Sequence, residues 1–134
     1  MATVISRGNP DPQGMRIVRS GTVTWTKAAS TQVNWAAVSH NLGYIPILDS
    51  YMTFQLPSLP PYPGWIQIPY VQSTGSGTDV GKQNFRVNAY VTESGVFFAA
   101  ITDPLTTDTY WYTTEFTVTA SYYLWSRPME ISTQ

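Results

Sequence analysis

Cysteine is absent from this chain of 134 residues, and histidine occurs once, at position 40. Without cysteine, neither a disulfide framework nor thiolate chemistry is possible. A zinc site usually takes several ligands from cysteine and histidine, so such a site is nearly excluded. A nucleophilic serine would need a base, and His40 stands alone. We expect His40 to bond the backbone of a turn; the alternative is that it contacts a ligand or senses pH.

Charged residues are also scarce, at 11% of the chain against about 25% in an average protein. Seven Lys and Arg face eight Asp and Glu, which gives a net charge of −1. No basic cluster follows Arg16 and Arg19, so we expect no binding of nucleic acid. Low charge together with 14% aromatic residues predicts a homo-oligomer that hides surface, or a surface rich in Thr, Ser, Asn and Gln.

Long apolar runs are missing too. No run approaches the roughly 18 residues that a membrane helix needs, and Met1 is not followed by an apolar signal-peptide region. We therefore expect neither a signal peptide nor membrane insertion. Residues 1–14 show no periodicity and are interpreted as an N-terminal arm or linker, ahead of one domain over residues 15–134.

Helix periodicity is almost absent, whereas short runs that alternate apolar and polar residues recur along the chain. They predict strands over residues 16–20, 22–27, 31–38, 46–55, 65–72, 85–92, 96–101 and 109–125. Glu-Ser-Gly at 93–95 is typical of a hairpin turn. The fold is predicted to be all-β, a single antiparallel sandwich of about seven or eight strands, with a barrel as the alternative that the same alternation allows.

The last predicted strand has one apolar face and one hydroxylated face. Trp111, Tyr123 and Trp125 fall on the hydroxylated face, among threonines. Exposed rings beside hydroxyl groups suit sugar binding, because pyranose C–H faces stack on them. The alternative is that a subunit interface covers these rings.

Two loops stand out by composition. Residues 56–64 contain four prolines and predict a stiff projection, whereas residues 73–81 are rich in Gly and Ser and predict a flexible hairpin loop. The second loop lacks the spacing of a phosphate-binding loop.

Ligand recognition is predicted to use loops at one end of the sandwich, as rigid scaffolds commonly do. The candidate stacking rings are Tyr62 and Trp65, and the candidate polar partners are Asp79, Lys82 and Asn84. A glycosidase would need two carboxylates across a cleft, and no clear pair is present. Asp79, Asp103 and Asp108 together would offer oxygen ligands for calcium, but their spacing does not match a calcium site. We therefore expect no cofactor and no enzymatic activity.

The segment 38–46, Val-Ser-His-Asn-Leu-Gly-Tyr-Ile-Pro, predicts a strand that ends in a fixed turn. Asn41 and Gly43 tolerate positive φ, which tight turns often need. Pro46 removes a backbone donor and keeps Ile45 extended, so the next strand is predicted to begin there.

This segment after a Thr-rich strand, together with the closing run Phe-Thr-Val-Thr-Ala-Ser-Tyr-Tyr-Leu-Trp at 116–125, resembles small β-domains of bacteriophage and prophage tail-fibre and receptor-binding proteins. The resemblance spans roughly residues 21–126. It implies a small antiparallel sandwich, often trimeric, and some such domains resemble H-type lectins of invertebrates. Its motifs describe a scaffold, so no catalytic residue carries over. The chain lacks the long repetitive shaft of a full fibre protein.

What the resemblance implies is a virion protein that is assembled in the host cytoplasm, beside other virion proteins, and that binds a cell-surface glycan as a homotrimer. The alternative is a purely structural decoration or cement protein of a capsid or tail, with its aromatic rings buried against neighbouring chains.

Overall fold

The computed structural model describes residues 15–60, 63–73 and 77–128, with side chains described as far as Ser126. Eight strands form two antiparallel four-stranded sheets that pack face to face, which confirms the predicted all-β sandwich. The strands are β1 (Ile17–Lys27), β2 (Val33–Ser39), β3 (Pro46–Gln55), β4 (Ile66–Gln67), β5 (Tyr70–Gln72), β6 (Phe85–Val91), β7 (Gly95–Ile101) and β8 (Phe116–Pro128). A 3₁₀ turn (Gly77–Asp79) precedes β6, and one helical turn, α1 (Tyr110–Thr113), precedes β8.

The strand order is β1-β8-β3-β4 in one sheet, called sheet A here, and β2-β7-β6-β5 in the other, sheet B. The first and last strands are therefore neighbours, paired from Ile17 with Trp125 to Lys27 with Phe116. On its other side β8 pairs with β3. Sheet A consequently presents an outer face built from β1, β8 and β3.

The core lies between the two sheets. Because side chains alternate along a strand, the even positions of β8 point inward and its odd positions point outward. The buried core side chains come from both sheets and include Met52, Phe85, Val87, Val96, Phe98, Ala100, Phe116, Val118, Ala120, Tyr122 and Leu124. Each large apolar side chain among them contributes about 1.5–3 kcal/mol on burial.

The predicted strand over 109–125 is wrong in its first part, because residues 110–113 form α1 and the strand begins at Phe116. The helical turn closes through the Thr113 N–H, which donates to the Thr109 carbonyl at 2.9 Å. It moves Trp111 off the hydroxylated face and into contact with the core, where its ring stacks on Phe85 with centroids 5.3 Å apart. Burial of the indole thus outweighs the local strand pattern.

Three other predicted strands differ in detail. Residues 16–20 and 22–27 form one continuous strand, β1, with an irregularity between Ile17 and Arg19. Residues 65–72 form two short strands instead of one, because the chain crosses there from β4 in sheet A to β5 in sheet B. The predicted N-terminal arm, residues 1–14, lies outside the described residues. None of the helices in the described ranges is long and apolar enough to cross a membrane.

Gly21 marks a close approach inside sheet A. It pairs with Tyr122, and a Cβ at this position would lie 2.7 Å from the Tyr122 hydroxyl oxygen. The ring of Tyr122 therefore occupies the space that a side chain at position 21 would need.

Candidate functional site

A pocket of about 310 Å³ lies on the outer face of sheet A. It is lined by Tyr51, Trp65, Ser121 and Tyr123. Tyr51 of β3 pairs directly with Ser121 of β8, and Tyr123 follows two positions along the same face. Trp65 comes just before β4, which pairs with β3 and so brings the indole to this end of the sheet.

Three aromatic rings thus surround one opening. The rings of Tyr51 and Tyr123 have centroids 6.4 Å apart and planes inclined at 70°, an edge-to-face arrangement. The indole of Trp65 is 55% exposed, so much of its surface is free to contact a ligand. Because the two rings are inclined to each other, a ligand can stack on the face of one ring while the other ring contacts it from the side.

Hydroxyl and amide side chains cover the same face beside the pocket. They are Ser20, Thr22, Thr24 and Thr26 of β1, Thr117 and Thr119 of β8, Thr53 and Gln55 of β3, and Gln67 of β4. The Thr24 and Thr119 hydroxyls lie 3.0 Å apart, so the rows also bond to each other across the strands. The pocket therefore opens onto a surface of neutral hydrogen-bonding groups.

Asp49 introduces a negative charge at the edge of this face. It pairs with Tyr123 across β3 and β8, and its Oδ2 accepts a hydrogen bond from the Trp125 indole N–H at 2.8 Å. The carboxylate therefore holds the indole of Trp125 in position beside the aromatic pocket.

Among the predicted ligand residues, the structure brings Trp65 into the pocket. Tyr62 lies outside the described residues. Asp79, Lys82 and Asn84 belong instead to the connection between β5 and β6 of sheet B. The predicted set is thus divided between the two sheets.

The side chains of Asp79 and Asn84, two of the three polar members of that set, bond within the protein. Asp79 is fully buried, and both of its carboxylate oxygens accept hydrogen bonds from Thr106. Asn84 is also fully buried and donates from Nδ2 to Asp108 Oδ2 at 2.9 Å. Lys82 is half-buried, and its backbone N–H donates to the Asp79 carbonyl at 3.0 Å. The side chains of Asp79 and Asn84, and the backbone of Lys82, thus hold a loop together.

The electrostatics of Asp79 follow from those donors. The backbone N–H of Thr106 is the largest influence and lowers the pKa, burial opposes it, and the groups of Thr107 lower it further. The result is a pKa of about 2 for the Asp79 carboxyl. Four donor groups, the N–H and the hydroxyl of both Thr106 and Thr107, stabilise the charged carboxylate more than burial destabilises it, so Asp79 is a fixed anion within the loop.

His40 is buried in the turn between β2 and β3. Its Nδ1 accepts the Leu42 N–H at 3.0 Å, so its Nε2 carries the proton and donates to the Thr92 carbonyl at 2.7 Å. Asn41 has φ of 56° and Gly43 has φ of 82°, the positive values that the turn prediction requires. His40 therefore ties this turn to the β6–β7 turn, and Pro46 begins β3.

Sequence reasoning did not select Tyr51 and Ser121 for the site. Both lie on an outward face, which alternation beside Met52 and Ala120 could have shown. The missing information was the pairing of β3 with β8, which joins segments some seventy residues apart.

Within the described part of the chain, no three His, Asp or Glu side chains come together as metal ligands. Comparisons with protein-family models, curated proteins and solved structures found no match to this chain.

Proposed function

We propose that this protein is a non-enzymatic receptor-binding domain of the bacteriophage tail-fibre type, which binds a cell-surface glycan in the pocket of Tyr51, Trp65, Ser121 and Tyr123. The observation that carries the proposal is that pocket: three aromatic rings beside rows of neutral hydroxyl groups. The viral part of the proposal is supported by the resemblance of residues 38–46 and 116–125 to such domains.

The chemistry of the pocket matches that of a sugar ring. A pyranose has apolar C–H faces that stack on aromatic rings, and equatorial hydroxyls that bond to polar groups at its edge. Trp65 offers the most open ring surface, and Ser121 supplies a hydroxyl between Tyr51 and Tyr123. The proposal assigns no catalytic step to the pocket.

In the virion, the domain would act as a homotrimer beside other virion proteins, assembled in the host cytoplasm. Repetition of a weak sugar site on one particle raises the overall binding strength without any new contact. Low affinity at each pocket is therefore compatible with firm attachment to a cell.

The experiment is a glycan array probed with the wild-type protein, followed by calorimetry on the best ligand. Trp65→Ala is expected to weaken binding about tenfold or more, because a stacking contact is lost. Tyr110→Ala is the matched control, since Tyr110 is 44% exposed but lies in α1. Equal binding by wild type and Trp65→Ala, with the fold intact by circular dichroism, would remove the pocket from the proposal.

A decoration or cement protein is the second candidate function. It is favoured by aromatic side chains that lie open on the outer face of sheet B, above all Trp35 at 59% exposed. The two candidates differ in the assembled particle: a receptor-binding domain keeps Trp65 accessible, whereas a cement protein buries it. Modification of Trp65 by a tryptophan-specific reagent, on whole particles, separates them.

A further inference from the structure

The outer face of sheet B carries an aromatic patch that the glycan proposal does not use. We call it the aromatic face; it comprises Val33, Trp35 and Ala37 of β2, Phe97, Ala99 and Ile101 of β7, and Tyr90 of β6. Trp35 is 59% and Tyr90 50% exposed, and their rings meet edge to face at 6.2 Å. Tyr90 also stacks on Phe97, with centroids 4.9 Å apart. The rings form one connected apolar surface across three strands.

The sequence of β7 indicates that another surface packs against this face. The strand reads Gly-Val-Phe-Phe-Ala-Ala-Ile, with no polar side chain in seven residues. Val96, Phe98 and Ala100 point into the core, but Phe97 and Ala99 point outward and are apolar as well. An antiparallel strand with one solvent-exposed face alternates apolar and polar residues, whereas a continuous apolar run is typical of a strand that is covered on both faces.

The charge of the face indicates which partner fits. Arg86 is the one charged residue on β2, β5, β6 and β7, and its Nη1 lies 3.3 Å from Asp103 Oδ2. Because this ion pair forms within one chain, the face has no unpaired charge that would attract an acidic or a basic partner. A second copy of the same face brings no like-charge repulsion, and the net charge of the whole chain is only −1.

We infer that the aromatic face is the contact surface between copies of this chain. The inference rests on the homo-oligomer in the proposed function and adds which face forms it. Tyr, Trp and Phe are enriched and Asp, Glu and Lys depleted at the centre of such contacts, as they are here. Three strands about 4.8 Å apart and about 24 Å long give a footprint of roughly 350 Å² per copy. Two such footprints, roughly 700 Å² together, fall below the roughly 1,200 Å² of a stable pair, so the contact is expected to be weak and to depend on protein concentration.

The test is solution mass by light scattering over a dilution series. Wild type is expected at a multiple of 14.9 kDa. Ala37→Arg places a charge on an exposed residue opposite Phe97 and is expected to give monomers with an unchanged circular dichroism spectrum. Trp35→Ser is the second variant and is expected to raise the dissociation constant at least tenfold. Trp65→Ser, on the other sheet, is the control and is expected to keep the wild-type mass.

The outcomes separate this inference from the function proposed above. A wild-type oligomer that is unchanged by Ala37→Arg and Trp35→Ser would overturn the inference alone. A wild-type monomer at every concentration would overturn the inference and the homo-oligomer together, yet leave glycan binding by Trp65 intact. Loss of glycan binding per site, measured by calorimetry in a Trp35→Ser variant that stays oligomeric, would make the aromatic face a ligand site and would also overturn the inference.

Discussion

Both carboxylate oxygens of Asp79 accept hydrogen bonds from Thr106, whose backbone N–H lies 3.0 Å from Oδ1 and 3.1 Å from Oδ2. Thr107 adds its own N–H at 3.0 Å and its hydroxyl at 2.8 Å, both to Oδ2. Asp79 lies after β5 and the two threonines lie between β7 and β8. One buried carboxylate thus joins two loops that are distant in sequence.

Replacing Asp79 with Asn should lower the thermal stability of the protein, because an amide cannot accept all of these hydrogen bonds. The midpoint of thermal unfolding, followed by circular dichroism, measures the effect. Glu93→Gln is the control, since Glu93 is exposed in the β6–β7 turn, and its midpoint should remain that of wild type. An Asp79→Asn midpoint equal to that of wild type would mean that the two loops do not depend on this carboxylate.

The same carboxylate predicts acid sensitivity. Its pKa is about 2 in the folded protein and about 3.9 in the unfolded chain, so the charged form favours folding. This stability is fully present above about pH 4 and is lost as pH falls towards 2. The pKa of Asp103 is lowered too: burial raises it, but hydrogen bonds from Gln83 and Gln32 and the charge of Arg86 outweigh burial.

Wild-type protein should therefore lose stability steeply between pH 4 and pH 2, and Asp79→Asn should lose less over that interval. Urea unfolding at several pH values tests this difference. The remaining loss in the variant is assigned to Asp103, whose carboxylate still titrates. Parallel curves for wild type and Asp79→Asn would show that Asp79 does not contribute to acid sensitivity.

Trp111→Ala should lower the free energy of unfolding by about 3 kcal/mol, since the indole stacks on Phe85 and meets Phe116 edge to face at 5.6 Å. Trp65→Ala should cost less than about 1 kcal/mol, because that indole is more than half exposed. Urea unfolding of both variants makes the comparison. Equal losses of unfolding free energy in the two variants would mean that Trp111 is as exposed as strand alternation predicted.

Gly21→Ala should destabilise the protein by about 1–3 kcal/mol, because the new methyl group would collide with the Tyr122 hydroxyl. Tyr122→Phe removes that oxygen and should recover part of the loss, although the ring carbons remain within 3.1 Å of the added Cβ. A double-mutant cycle over these two positions measures the coupling. Additive effects would show that the sheet relaxes around the methyl group without involving Tyr122.

Tyr51 separates stacking from hydrogen bonding in the proposed glycan site. Tyr51→Phe keeps the ring and its edge-to-face contact with Tyr123, so glycan affinity should stay within about threefold of wild type. Tyr51→Ala removes the ring and should weaken binding about tenfold. Calorimetry on the array ligand is the measurement. A large loss in Tyr51→Phe would assign the contribution to the hydroxyl instead.

Local patterns in the sequence were enough to predict some of the strands and turns. Pro46 fixes where β3 begins, and the strand ends at Gln55 as alternation predicted. The hairpin of β6 and β7 also follows from alternation on both sides of a short turn. Positive φ at Asn41 and Gly43 is a property of these two residue types in tight turns, so it too could be predicted.

The remaining features could not be predicted, because they depend on pairing between segments that are distant in sequence. The pocket depends on β8 lying between β1 and β3, and no local pattern states that order. The same is true of Asp79, because its partners Thr106 and Thr107 are 27 and 28 residues away. Trp111 shows a different limit: strand alternation continues through residue 111, but contact with Phe85 favours a helical turn there.

The pairing of the first and last strands also has a mechanical meaning. The Ser126 N–H donates to the Arg16 carbonyl at 2.6 Å, so the chain enters and leaves sheet A at adjacent points. A force pulling residues 16 and 126 apart would break the β1–β8 hydrogen bonds one after another, starting from the end of the ladder where the force acts. The domain should therefore open at low tension when it is stretched between its two ends.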